Sequence, residues 1–368
     1  MKIPGPAAAL VLLAACSAGP TPEPDLPLEP CPGYRGATSE TPAFLEGPWE
    51  CALAWARARR LPAVLYVTTE HCHPCRELEE RSFPDPRVRD LLSSLVTVKA
   101  DGFGPGGEKL RGPLRVGSYP TLIVFGPDGR EIDRILGPLA PEPLAETISD
   151  YLRGQNTTED LLRRAAASPG DLDLQLRAGT MLVQRGRGPE ARPLLERVVA
   201  EDAPGSGPRW LRAAHLLATE LRAAGQIPDA EALLEHLAVA AAGTPLQGEA
   251  LLELARCRLA AGDPEGAARI LRERYPLDLR DSMSWFRLGS FALKERVEEA
   301  WVLERLAEGA ALHPRAGVLW KLSADLEHHR GNPDAARACM EKALEANPEE
   351  QAWRQLLDTW HRQQERAP

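Results

Sequence analysis

The chain has 368 residues, a net charge of -9, and 26% charged against 43% hydrophobic residues. That length holds two or three domains with cores of ordinary size, and an acidic balance with no Lys/Arg stripe interleaved with aromatics argues against a nucleic-acid partner. After residue 16 no stretch is apolar for long enough to cross a bilayer.

The chain opens "MKIPGPAAALVLLAAC", one Lys followed by a short apolar run, which has the shape of a secretory signal rather than a membrane span. Leu13-Ala14-Ala15-Cys16 resembles the lipobox of bacterial lipoproteins. The resemblance implies a signal peptide over 1–15, removal of that peptide before Cys16, and a lipid on Cys16 that holds the chain to a membrane. The expected location is the cell envelope, on the periplasmic side, where disulfides persist. Ser17, where retention at the inner membrane would favour Asp, points to the outer membrane. Residues 16–43 are dense in proline and lack apolar periodicity, and so read as an extended tether.

Residues 44–154 alternate in texture. "WECALAWARARR" reads as a helix, "PAVLYVTT" as a buried strand, "CRELEERSF" and "VRDLLSSL" as helices, and "VTVKAD" as a strand. "TLIVF" and "REIDRILG" are strands flanking the turn Gly126-Pro127-Asp128-Gly129, and "PEPLAETISDYL" closes the unit as a helix. This order describes an α/β domain with a hairpin. The stretch "GFGPGGEKLRG", from Gly102 to Gly112, reads as a flexible flap or an inert insertion.

Residues 156–368 show no strand pattern. Gly186, Gly225, Gly262 and Gly331 each precede an alanine by five residues, at Ala191, Ala230, Ala267 and Ala336, with Arg296 and Trp301 filling the slots between the last two. The steps of 39, 37, 34 and 35 residues, and units such as "VLWKLSADLEHHRGNPDAARACMEKALEANP", resemble the tetratricopeptide repeat over about residues 170 to 348. The resemblance implies an all-α solenoid capped by "EEQAWRQLLDTWHRQQER", able to fold without the preceding domain and offering a groove to a protein partner. His328 and His329, adjacent on a helix, point about 100° apart and read as solvated side chains.

Chemistry concentrates in "EHCHPC", residues 70–75. Cys72 and Cys75 could form a redox dithiol, or they could join His71 and His73 in a metal site. No second ligand pair occurs elsewhere, whereas structural zinc sites draw one from a separate segment, so no metal and no other cofactor is expected. The pair sits where a strand gives way to a helix. There the helix N-terminus favours a thiolate at Cys72, and Cys75, one turn on, can close a disulfide with it. Together with Tyr119-Pro120-Thr121, and with Phe83, Asp85, Pro86 and Val88 after the motif, this arrangement resembles the thioredoxin superfamily, in particular the reducing domain of bacterial transmembrane disulfide reductases. The resemblance implies catalytic Cys72 and Cys75, a cis Pro120 facing them, a substrate-facing Tyr119, tuning by His73 and Pro74, and protein thiols or disulfides as substrates. It is incomplete: His71 stands where Trp is common and Tyr66 where a buried Asp moves the proton of the resolving thiol, which leaves water, Glu70 or a histidine for that task. A non-catalytic envelope scaffold and a copper-handling protein are the alternative readings. Cys31 and Cys51 are a possible pair, and Cys257 and Cys339 read as small residues within repeat helices.

Overall fold

The structure, a computed structural model, describes residues 44–46, 49–69, 72–104, 106–202, 205 and 207–365. The expected signal peptide and tether, with Cys16 and Cys31, lie outside the described residues, as do Glu70 and His71.

The apolar runs of the first domain become the strands of one sheet. In chain order the elements are β1 Leu45–Glu46, α1 Trp49–Ala58, β2 Ala63–Thr68, α2 His73–Glu77, α3 Pro86–Ser93, β3 Val96–Asp101, α4 Gly107–Arg111, β4 Thr121–Phe125, β5 Glu131–Leu136 and α5 Pro141–Leu152. The strand order is β1-β3-β2-β4-β5. The first three strands run parallel, Leu65 pairing with Val98; β4 is antiparallel to β2, Leu65 also pairing with Ile123, and β5 is antiparallel to β4. All six residues of β2 and all five of β4 are buried, because these central strands are covered on both faces. One face packs with Trp49, Ala52 and Ala56 of α1, the other with Val88 and Leu92 of α3 and Leu144 and Ile148 of α5.

Three local results depart from the sequence reading or add to it. The helix expected over "CRELEERSF" begins at His73 and continues from Leu78 to Ser82 as a π-helical turn, with the Phe83 amide donating to the Leu78 carbonyl at 2.8 Å. The glycine-rich stretch holds the one-turn helix α4, which packs because residue 107 is Gly: a Cβ there would lie 2.2 Å from the Gly102 carbonyl oxygen. β1, only two residues long, was not foreseen.

Beyond residue 156 the chain is helical: α6 Thr158–Ala167, α7 Leu172–Gln184, α8 Gly188–Glu201, α9 Pro208–Ala223, α10 Ile227–Ala240, α11 Pro245–Ala260, α12 Pro264–Arg269 with a π-helical turn to Arg274, α13 Ser282–Glu295, α14 Glu299–Leu312, α15 Gly317–His329, α16 Pro333–Ala346 and α17 Gln351–Glu365. Five hairpins run from α7/α8 to α15/α16. Gly186, Gly225, Gly262 and Gly331 turn four of them at positive φ, between 68° and 78°, a conformation glycine adopts without a Cβ penalty. Ala191, Ala230, Ala267 and Ala336 are fully buried at the helix crossings. The fourth hairpin corrects the register read from sequence. Counted from the helix start, the crossing slot belongs to Val302, which is fully buried, and not to Trp301, which is half-buried with the Arg305 guanidinium 5.7 Å from its ring. The turn before it uses Arg296 and Glu298 at φ 60° and 56°, so its left-handed residues fall one place to either side of the glycine position.

Charged side chains also join successive hairpins. Arg222 of α9 bonds Glu253 of α11 at 2.9 Å, and Arg256 of α11 bonds Glu295 of α13 at 2.8 Å. His328 stacks on Trp360 of the closing helix, with ring centroids 4.7 Å apart. Among the described residues no helix is long and apolar enough to cross a membrane.

The two domains meet at Asp133 of β5, which is 3% exposed. One carboxylate oxygen accepts from the Thr158 backbone amide and, at 2.9 Å, from its hydroxyl, so the sheet closes the first turn of α6. The other accepts from Arg185 Nε at 2.6 Å, at the end of α7, and Arg185 also donates to the Arg134 carbonyl at 2.7 Å. Tyr151 of α5 lies beside this pair, and burial pushes its hydroxyl up to about 12.

Candidate dithiol site

Strand β2 ends at Thr68 and α2 starts at His73, so the sheet delivers Cys72 to the head of a helix. Cys72 is the N-cap, with extended backbone (φ -87°, ψ 98°), and its sulfur accepts from the Cys75 amide at 3.2 Å. Pro74 occupies the first turn, where a missing N–H costs nothing. That amide is therefore a donor already aimed at the Cys72 sulfur, the interaction that favours a thiolate. Cys72 and Cys75 are joined in a disulfide with Cα atoms 5.2 Å apart. Cys72 is 8% exposed and Cys75 2%, so Cys72 offers the more accessible sulfur. His73 and Pro74 are both exposed.

The Tyr119–Pro120 peptide bond is cis, and Pro120 is buried at the start of β4. Its carbonyl accepts from the Gly137 amide at 2.9 Å. Tyr119 packs against the apolar cluster that holds Cys72, Cys75, Tyr66 and Phe83, and also against the cluster on the other face of the sheet. The chain thus brings Cys72, Cys75 and Tyr119 into one neighbourhood, with His73 and Pro74 on its surface.

Beneath Cys75 lies a group that the sequence reading missed. Fully buried Tyr66 donates to Glu79 Oε1 at 3.0 Å, and its hydroxyl lies 3.4 Å from the Cys75 carbonyl oxygen. Lys99 of β3 reaches the same Glu79 oxygen at 2.8 Å. Burial, reinforced by the Glu79 carboxylate, pushes the Tyr66 hydroxyl far above its ordinary range, so it remains a donor. Glu79 follows Cys75 by four residues and so lies on the same helix face, a spacing visible in the sequence. Phe44, Tyr66 and Phe83 form an aromatic floor with centroids 4.9 to 5.4 Å apart.

Among the described residues no group of three or more His, Cys, Asp and Glu could hold a metal ion. Cys51 is disulfide-bonded. Cys257 is fully buried, with its thiol pushed up to about 11 by burial, and Cys339 is half-buried with its thiol raised for the same reason. Both are poor nucleophiles.

Comparison with known proteins agrees with this architecture. A family described as "Thioredoxin-like domain" matches residues 49–152, and two described as "Tetratricopeptide repeat" match residues 215–278 and 317–359. The chain carries a thioredoxin-like domain followed by tetratricopeptide repeats. A thiol:disulfide interchange protein DsbD of Salmonella typhi is 31% identical over 80 residues, which is 21% of this chain and 14% of that protein. The chain thus spans about one seventh of the length of this curated relative. A thioredoxin from Thermus thermophilus is 26% identical, covering 28% of this chain and 84% of its own with a TM-score of 0.27. The tetratricopeptide protein YrrB is 13% identical, covering 54% of this chain and 98% of its own with a TM-score of 0.33.

Proposed function

We propose that this chain is a thiol-disulfide oxidoreductase of the bacterial cell envelope, lipid-anchored at Cys16, that acts on protein disulfides through Cys72 and Cys75 while its repeats bind a protein partner. The observation that carries the reading is the Cys75 amide donating to the Cys72 sulfur at the head of α2, with Tyr119 packed against the same apolar cluster. In the reducing direction the Cys72 thiolate attacks a substrate disulfide. The substrate S–S bond breaks, one substrate sulfur leaves as a thiolate, and a mixed disulfide with Cys72 forms. Cys75 then loses its proton and attacks the Cys72 sulfur, releasing the second substrate thiolate and closing Cys72–Cys75. The substrate gains two electrons and the dithiol loses two, and an external dithiol reductant restores it. The same bonds exchanged in reverse give oxidation.

Reduction of a disulfide-bonded protein by the full chain, supplied with a dithiol reductant, tests this reading. Turnover above that of the reductant alone supports it. A correctly folded chain with none identifies a scaffold instead. For the anchor, Cys16→Ala is expected to move the protein out of the membrane fraction, and unchanged processing and fractionation would refute lipidation.

Within this mechanism the Cys75 proton needs an acceptor, and we assign that role to Glu79, one helical turn beyond Cys75 and hydrogen-bonded to Tyr66 beneath it. Glu79→Gln is expected to slow resolution of the mixed disulfide at pH 7 by roughly tenfold or more. The loss should shrink as pH rises, because solvent base then takes over the deprotonation. Superimposable pH–rate profiles from pH 5.5 to 9.5 would remove Glu79 from the mechanism.

A further inference from the structure

One large apolar side chain is held out into solvent on the rim of the sheet that carries the dithiol. Phe103 is 71% exposed, the most exposed of the large hydrophobic side chains among the described residues of the first domain. A single exposed apolar residue is unremarkable by itself, but this one is fixed from several sides. Its amide donates to Asp101 Oδ1 at 2.9 Å, and the Arg111 guanidinium lies 4.9 Å from the ring centroid while donating to the Gly102 carbonyl. Its ring lies 5.8 Å from that of Tyr119.

The support under it is also specific. A Cβ on Gly102 would come within 2.4 Å of the Tyr119 ring, so glycine is needed for Tyr119 to rest on this backbone. The Gly102 amide donates to the Thr68 carbonyl at 2.8 Å, tying the loop to the end of β2 from which the chain runs on to Cys72. Phe103, Tyr119 and the dithiol therefore share one rim of the sheet, where the carboxyl ends of β2 and β3 meet the start of β4.

We propose that Phe103, steadied by Arg111 and Tyr119, is the specificity-determining contact for an extended substrate chain passing Tyr119–Pro120, and that it takes an apolar side chain flanking the substrate cysteine. The inference rests on the oxidoreductase reading and names the substrate class of that site. Burying an apolar side chain against the ring removes apolar surface from both partners, and a ring already held in place loses little conformational freedom on binding. Arg111 does not select an acidic partner here, because its guanidinium is engaged with the Gly102 carbonyl and the ring face.

The test uses the reduced full chain and two peptides, each with its cysteine linked to 5-thio-2-nitrobenzoate, differing only in Leu or Ser beside that cysteine. Attack by Cys72 on the peptide sulfur releases the coloured thiolate, which is followed in a single turnover. The wild-type chain is expected to favour the Leu peptide by about tenfold in second-order rate constant. That ratio should fall to within about twofold of unity in Phe103→Ser and return in Phe103→Leu. Because it is a ratio, it is insensitive to the fraction of variant that folds. A wild-type ratio near unity, or an unchanged ratio in Phe103→Ser, overturns the proposal. If the wild-type chain reacts with neither peptide, the oxidoreductase reading fails. The surface is then judged by the affinity of the Leu peptide with Ser in place of Cys: weaker binding by Phe103→Ser supports the contact, and equal binding overturns it.

Discussion

Cys72→Ser is expected to abolish disulfide turnover, and Cys75→Ser to leave a chain that stalls as a covalent mixed disulfide through Cys72. The two sulfurs differ in access and in what addresses them. Cys72 is the more exposed, at 8% against 2%, and its sulfur already accepts the Cys75 amide at 3.2 Å. Pro74 brings no N–H of its own to that first turn, so the donor to Cys72 comes from Cys75. Serine keeps the shape and the accepting atom, but its hydroxyl is not ionised at neutral pH, and the loss should be on the order of 10³-fold or more, as when a nucleophile is removed. Cys75, buried above Tyr66 and Glu79, meets the Cys72 sulfur of a mixed disulfide more readily than a bulky substrate. Its removal spares the first exchange and blocks the second. Mass spectrometry of the trapped species gives the assignment: an adduct that forms without Cys72, or turnover that persists in Cys72→Ser, contradicts it.

What the sequence made legible follows from how local each signal is. The strands "AVLYVT" and "TLIVF" are continuous apolar runs because both faces are covered, and they stand out at once. The repeat turns carry a glycine that the backbone requires, as at Gly186 and Gly331. β1 escaped notice because a two-residue strand has no periodicity. α4 escaped because the glycines that let it pack, above all Gly107, are also the residues that mark a loop. Glu79 was hidden among the acids of "ELEERS", which reads as a solvated face. Only its spacing from Cys75 set it apart, and the partners that give it meaning, Tyr66 and Lys99, come from two other elements. The Trp301 slot was misplaced by one residue for a comparable reason: with no glycine in that turn, nothing local marks where the helix restarts.

The joint between the domains was equally silent in the sequence, and the second large effect is expected there. Asp133→Ala should cost about 3–5 kcal/mol, the usual consequence of leaving a buried charge without its partner. Arg185 is 9% exposed in its side chain and its carboxylate partner 3%, so water cannot take over when the carboxylate is removed. The same substitution strips the acceptor from the Thr158 amide and hydroxyl, which opens the first turn of α6. The damage should be local at first, because hairpins further along are held by their own neighbours. Amide exchange is therefore expected to quicken in α6 and at the end of α7 before it does in α13 to α16, and urea unfolding should begin at lower concentration. Asp133→Asn, which keeps the shape and part of the bonding, should lose less, while Asp133→Leu combined with Arg185→Met should recover much of the loss, since an apolar pair leaves no charge stranded. If Asp133→Ala costs less than about 1 kcal/mol, the carboxylate is dispensable and the repeats stand on their own contacts, as their period alone suggests. If the double variant is no better than the single one, the cost lies in the lost cap of α6 rather than in the stranded guanidinium.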